Sequence, residues 1–234
     1  MSLVGERRAI AAAVLSFFML QFIIGGLLGD EQLRWVQLAL GAAYLVAFTG
    51  VVAGWFWARW YTLGLTFSGL AMAALIGWKI GVDINFYIIG GGHLALGIGL
   101  LGTESATFFE GRKDWRERWH MDQNAVNRLG KAVMRAGASL PYLIVAGLMP
   151  RQGGMAIGVL ALGLGLVGFS GVVRMRTWGL VALTGATAFA GAHLVTMDTM
   201  ATGLPLFATG AAALLLAAAV SPFVAPMVRA LRAR

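Results

Sequence analysis

Apolar positions along this chain come in long unbroken runs, not in alternating or one-sided patterns. Eight runs stand out, at residues 9–28, 36–58, 62–80, 86–103, 132–149, 154–173, 177–197 and 203–220. Each is close to the ~20 residues a helix needs to cross the ~30 Å hydrocarbon core of a bilayer. Strands of a membrane barrel would instead be short and alternating. The pattern predicts an all-α integral membrane protein of about eight transmembrane helices. The first run, Ala9 to Leu28, follows Glu6-Arg7-Arg8. It is too long for the apolar region of a signal peptide, and no small-residue cleavage site follows it, so it reads as the first span.

The polar positions between the runs give the topology. Threaded as eight spans, the chain puts fifteen of its eighteen Lys and Arg on one side: Arg7, Arg8, Arg59, Arg112, Lys113, Arg116, Arg118, Arg128, Lys131, Arg135, Arg174, Arg176, Arg229, Arg232 and Arg234. Only Arg34, Lys79 and Arg151 fall on the other. Basic residues near span ends stay in the cytoplasm, so both termini are expected there. One span more or fewer would scramble the split. Short loops and a basic inner face fit a bacterial inner membrane.

Composition agrees. Of 234 residues, 59% are hydrophobic and 12% are charged, about half the charged share of a soluble domain. Mean hydropathy is +0.79. The formal net charge of +8 is therefore a topology signal, not a nucleic-acid footprint. With no Cys there is no disulfide, thiolate ligand or Cys nucleophile.

Three regions are expected: a four-span half at 1–103, a cytoplasmic basic loop at 104–131, and a second four-span half with a basic tail at 132–234. In the loop, Trp115, Trp119 and Val126 share a helical face, with Arg116 and Arg118 beside them. That predicts a short interfacial helix, a docking place for anionic lipid or a partner subunit. A faint repeat at an offset of 115 matches Arg59, Thr62, Gly64 and Leu65 to Arg174, Thr177, Gly179 and Leu180, and Asp83 to Asp198. Two parallel halves, a 4+4 repeat, would give it.

Familiar chemical motifs are absent or misplaced. The GxGxxG strings at 97–102 and 163–168 lie inside apolar runs, not between a strand and a helix. His93, His120 and His193 are scattered, without metal-ligand spacing. What remains is a short set of ionisable groups at or near membrane depth: His93, His193, Lys79, Asp83 and Asp198. Such groups usually face the bundle interior or water. Gly90-Gly91-Gly92 precede His93, and three glycines loosen a helix by about 1 kcal/mol each, so a broken fourth span is expected. These residues outline a polar site in the outer half of the bundle. Gln21, Tyr44, Thr49, Ser68, Ser139, Ser170, Thr184 and Thr187 could line a path or simply bond between helices. Gly41, Gly50, Gly54, Gly97, Gly158, Gly163, Gly165 and Gly168 are expected at helix contacts.

Three readings follow. The first is a small-solute or ion transporter or channel, with a site at His93, Gly90, Gly91, Gly92, His193, Asp83, Asp198 and Lys79. The second is a structural or assembly subunit of a larger membrane complex. The third is a membrane enzyme, either lipid-modifying or binding haem through His93 and His193. No catalytic residue set is apparent, and transport uses the most features together.

Overall fold

Apolar runs with few helix breakers fold as helices, and the turn residues decide where each one stops. The computed structural model describes residues 4–111, 117, 122–149, 155–196 and 203–232, with side chains in the last segment described to 226. Among them lie nine α-helices: α1 Val4–Leu28, α2 Arg34–Ala53, α3 Ala58–Lys79, α4 Ile84–Leu100, α5 Thr103–Glu110, α6 Gln123–Leu148, α7 Met155–Val173, α8 Thr177–Thr196 and α9 Leu204–Arg232. No strand occurs among the described residues. Six helices are long and apolar enough to cross a membrane, and a seventh if α4 and α5 count as one span bent by 72°. The molecule is a polytopic helical membrane protein.

Helix ends have local causes. Asp83 and Asp122 cap α4 and α6, accepting from the backbone N–H of Phe86 at 2.9 Å and of Ala125 at 2.6 Å. Each satisfies one of the donors that a helix start leaves open. Gly54, at φ 67, closes α2 and is a turn glycine; the sequence had suggested a helix-contact role for it. Met175 closes α7 at φ 55, a conformation that costs a residue with a Cβ about 1–2 kcal/mol.

The chain divides into two units, 1–121 and 122–234. In the first, α1 lies between α2 and α4, α3 packs on α4 and more narrowly on α2, and α5 caps α1 and α3. In the second, α6 packs on α7 and α9, and α8 on α7 and α9. Each is a four-helix ring of sequence neighbours. The α7–α8 contact is close because a Cβ on Gly171 would lie 2.4 Å from the Gly179 backbone. Gly158 meets the Ala146 carbonyl in the same way, at 2.7 Å. Gly163, also expected at a contact, has nothing within 4 Å of its missing Cβ.

Three expectations change. First, the loop at 104–131 is helical at both ends, in α5 and in the first turns of α6. The start of α6 was hidden because it is amphipathic. Val126, Leu129, Val133 and Ala136 are buried while Arg128 and Lys131 break up the apolar run. Second, Gly90, Gly91 and Gly92 do not break the fourth helix, since α4 runs through all three. Packing on α1 and α3 outweighs their weak propensity. The break comes later, at Gly102 with φ 113, between α4 and α5. Third, α9 continues past residue 220 through Pro222 and Pro226. Pro222 has no N–H to give the Ala218 carbonyl four residues back. That carbonyl is served instead by the Arg135 guanidinium of α6 at 2.6 Å and by the Ser221 hydroxyl at 3.0 Å.

Candidate functional site

Among the described Asp, Glu, His, Lys and Arg residues of the first unit, His93 is the most buried, at 2% exposed. It is the tenth of seventeen residues in α4, so it sits near the middle of the helix, about 14 Å from its start and about 10 Å from its end at 1.5 Å per residue. The ring leans toward the helix N-terminus, as long side chains on helices do. The residue three positions back on that side is Gly90, which has no side chain to obstruct it.

All four long helices of the first unit contribute to the pocket that holds this ring. From α1, Phe18 packs against it with ring centroids 4.5 Å apart. From α2, the Tyr44 hydroxyl meets Nε2 at 2.6 Å. From α3, Gly69 receives the ring, which occupies the place of a Cβ at that position to within 2.1 Å. From α4 itself, the Ile89 carbonyl meets Nδ1 at 2.7 Å. A carbonyl only accepts, so Nδ1 carries the proton and donates to Ile89. In the neutral ring Nε2 then holds a lone pair, and the Tyr44 hydroxyl donates to it. The ring is engaged at both nitrogens, and in the neutral form this tautomer alone satisfies both contacts. Phe22 extends the cluster on the far side of Tyr44, 5.4 Å between centroids.

The glycine run also has a role. A Cβ on Gly92 would lie 2.6 Å from the Phe18 ring, so Gly92 admits Phe18 beside His93. A Cβ on Gly90 would lie 3.4 Å from that of Ala73, and one on Gly91 would meet nothing within 4 Å. Gly92 seats the aromatic cluster, and the run as a whole is helical.

The other predicted site residues do not gather here. Asp83 caps α4 and also accepts from the Asn85 side chain at 2.9 Å. Its carboxyl is held below the usual carboxylate range, chiefly by the Phe86 N–H and then by Asn85. Lys79 is exposed at the end of α3, its ammonium 4.8 Å from the centre of the Trp78 ring. His193 is buried in α8, in the second unit. Asp198, Trp115, Arg116, Arg118 and Trp119 lie outside the described residues. Thr49, Ser68, Ser139, Thr184 and Thr187 bond back to carbonyls of their own helices. Axial haem ligation by His93 conflicts with this geometry, because Tyr44 holds Nε2 and Phe18 and Gly69 close on the ring.

Sequence reasoning named Tyr44 only among polar groups within the spans, and missed Phe18 and Gly69. Depth was the available signal. Phe18, Tyr44, Gly69 and His93 each lie near the centre of their helices, so up-and-down packing brings them to one layer.

A second polar cluster lies at one end of the same unit. Arg59, at the start of α3, pairs with Glu110 at the end of α5 and donates to the Leu100 carbonyl at 2.9 Å. Arg8 donates to the Val52 carbonyl at 2.8 Å. These carbonyls end α4 and α2, where cations are favoured. No protein-family model matches the chain, and no curated protein or solved structure is significantly similar to it.

Proposed function

We propose that this is a small membrane transporter or channel for an ion or small solute, coupled to proton binding at His93. Eight spans in two parallel four-helix halves, with both termini cytoplasmic in a bacterial inner membrane, form the intended frame. The one-sided basic residues support that topology. The observation that carries the functional reading is the imidazole of His93 at mid-helix, hydrogen-bonded to Tyr44 and touched by every long helix of its unit. Ionisable groups at such depth are costly and are functional by default.

The chemistry follows from the tautomer. A proton arriving at Nε2 makes both ring nitrogens donors. The Tyr44 hydroxyl can then no longer donate to the ring and must accept or turn away. The described carboxylates of the first unit, Glu6, Asp30, Glu31, Asp83, Glu104, Glu110 and Glu117, all lie at or beyond the ends of its four long helices. No described carboxylate therefore stands beside the new charge, and the charged ring favours an arrangement of the layer that brings a further acceptor to it. A single proton is thereby tied to a movement of α2 against α4, which is what coupled transport requires.

The test is proton flux in vesicles holding the full chain and a trapped pH dye, driven by sodium or potassium gradients. Wild-type protein should pass protons above empty vesicles under at least one gradient. His93→Gln should lose that flux while keeping its thermal melt within a few degrees. Wild-type flux equal to empty vesicles under both gradients overturns the reading.

One observation favours the second reading, a subunit of a larger membrane complex. Both nitrogens of His93 are already satisfied within the protein, as in a locked core. In that case His93→Gln lowers stability and nothing else, and further polypeptides co-purify in fixed stoichiometry.

A further inference from the structure

We propose that Arg7 and Arg8 bind the phosphate of an anionic phospholipid at the end of the first unit where α4 turns into α5. Both arginines are half-buried. Neither has a carboxylate partner among the described residues, whereas Arg59 at the same end is neutralised by Glu110. Partial burial without a counter-ion is costly for a guanidinium, so the place calls for an anion.

The two side chains are also aimed. Arg8 donates to Val52 at 2.8 Å and lies over the Phe108 ring, 5.0 Å from its centre. That fixes the guanidinium plane while using one of its five N–H groups. The Nη1 of Arg7 is a long 3.5 Å from the Leu101 carbonyl, leaving its fork open. Each guanidinium keeps donors free, Arg7 at the end of α4 and Arg8 at the end of α2, and arginine grips phosphate bidentately.

The rim selects a lipid over a free ion. Val52, Leu101 and Phe108 are 46%, 53% and 37% exposed, and they are the residues that the two arginines touch. They present an apolar border to a glycerol backbone and upper acyl chain. The 72° bend between α4 and α5 sets this border at the end of a spanning bundle, at headgroup level.

This site rests on the membrane character of the chain and not on transport, so His93→Gln should bind lipid as the wild type does. The test is native mass spectrometry of the full chain in mild detergent, titrated with phosphatidylglycerol or phosphatidylcholine. Wild-type protein should retain phosphatidylglycerol preferentially. The double variant R7Q/R8Q should retain it roughly tenfold less well, and R34Q, at the opposite end of the unit, should be unchanged. If the double variant fails to fold, R8K keeps the charge but loses the planar fork and should show a smaller loss. Equal retention of both lipids, undiminished retention by R7Q/R8Q or R8K, equal loss in R34Q, displacement by millimolar inorganic phosphate, or a bound polypeptide in place of lipid would each overturn the proposal.

Discussion

At the scale of single residues, the first unit turns on one hydrogen bond and one missing side chain. Tyr44→Phe removes the donor to Nε2 of His93 and leaves a buried acceptor unpaired. Hydrogen bonds between membrane helices average about 0.6 kcal/mol, but an orphaned buried group costs about 1–3 kcal/mol. The second term should dominate, so Tyr44→Phe should lower stability by about 1–2 kcal/mol in a denaturant titration followed by tryptophan fluorescence. Gly69→Ala should do more harm. The new Cβ would fall 2.3 Å or less from three ring atoms of His93, its Cγ included, so rotation of the ring tip cannot relieve it. Overpacking of this kind costs about 1–3 kcal/mol. A Gly69→Ala melt indistinguishable from wild type would show that α3 and α4 are looser than described. His93 was visible in the sequence as a lone imidazole in an apolar run. Its partners were not, because Phe18 and Gly69 are ordinary residues of a membrane helix. Only their shared depth marks them.

At the scale of helices, termination was less legible than existence. The eight runs correspond in order to α1–α4 and α6–α9, since long apolar segments have few alternatives. The beginning of α6 and the extension of α9 were not legible as apolar runs, because both depend on partners far along the chain. Arg135 and Pro222 make this explicit. Pro222 strands the Ala218 carbonyl, and Arg135 answers it from another helix. Pro222→Ala would restore a normal helical partner. Arg135→Met should therefore cost less in a Pro222→Ala background than alone, with a coupling of about 1 kcal/mol in a double-mutant cycle. Strict additivity would break the link. Asp83 adds a pH dependence at the head of α4. Its pKa is lowered in the folded protein, so its contribution is present above the ordinary carboxylate range and is lost as pH falls through the lowered folded value. Thermal melts between pH 6 and pH 3 should decline less steeply in Asp83→Ala than in wild type.

At the scale of the whole molecule, the charge pattern makes a topological prediction. The chain has no cysteine, so single-cysteine labelling needs no background removed. Val82, in the α3–α4 turn, and Gln123, at the start of α6, are both exposed and should lie on opposite sides of the membrane. An impermeant maleimide should label Val82→Cys in intact cells and Gln123→Cys only after permeabilisation. Equal labelling before permeabilisation would mean that α4 and α5 together do not cross. The repeat was only faintly legible. The offset of 115 that aligns Thr62 with Thr177 at the α3 and α8 starts carries the turn residue Gly54 onto Phe169, inside α7. Arg59 and Arg174 likewise fall in different settings, one within α3 and one in a turn. Apolar helices place few demands on residue identity, so chance matches among Gly, Ala and Leu are easily made.

The pocket around His93 also has a consequence for biosynthesis. Phe18, Tyr44 and Gly69 all precede His93, and α5 ends at Glu110. Every contact of the histidine layer is complete before the first residue of α6 leaves the ribosome. The first unit can therefore close in the bilayer while the second is still being translated. His93 is the last piece to arrive, and it locks three helices already inserted. A translating ribosome stalled after residue 150 should carry a nascent chain whose first 111 residues already resist protease. The same chain bearing Gly69→Ala should still be cut.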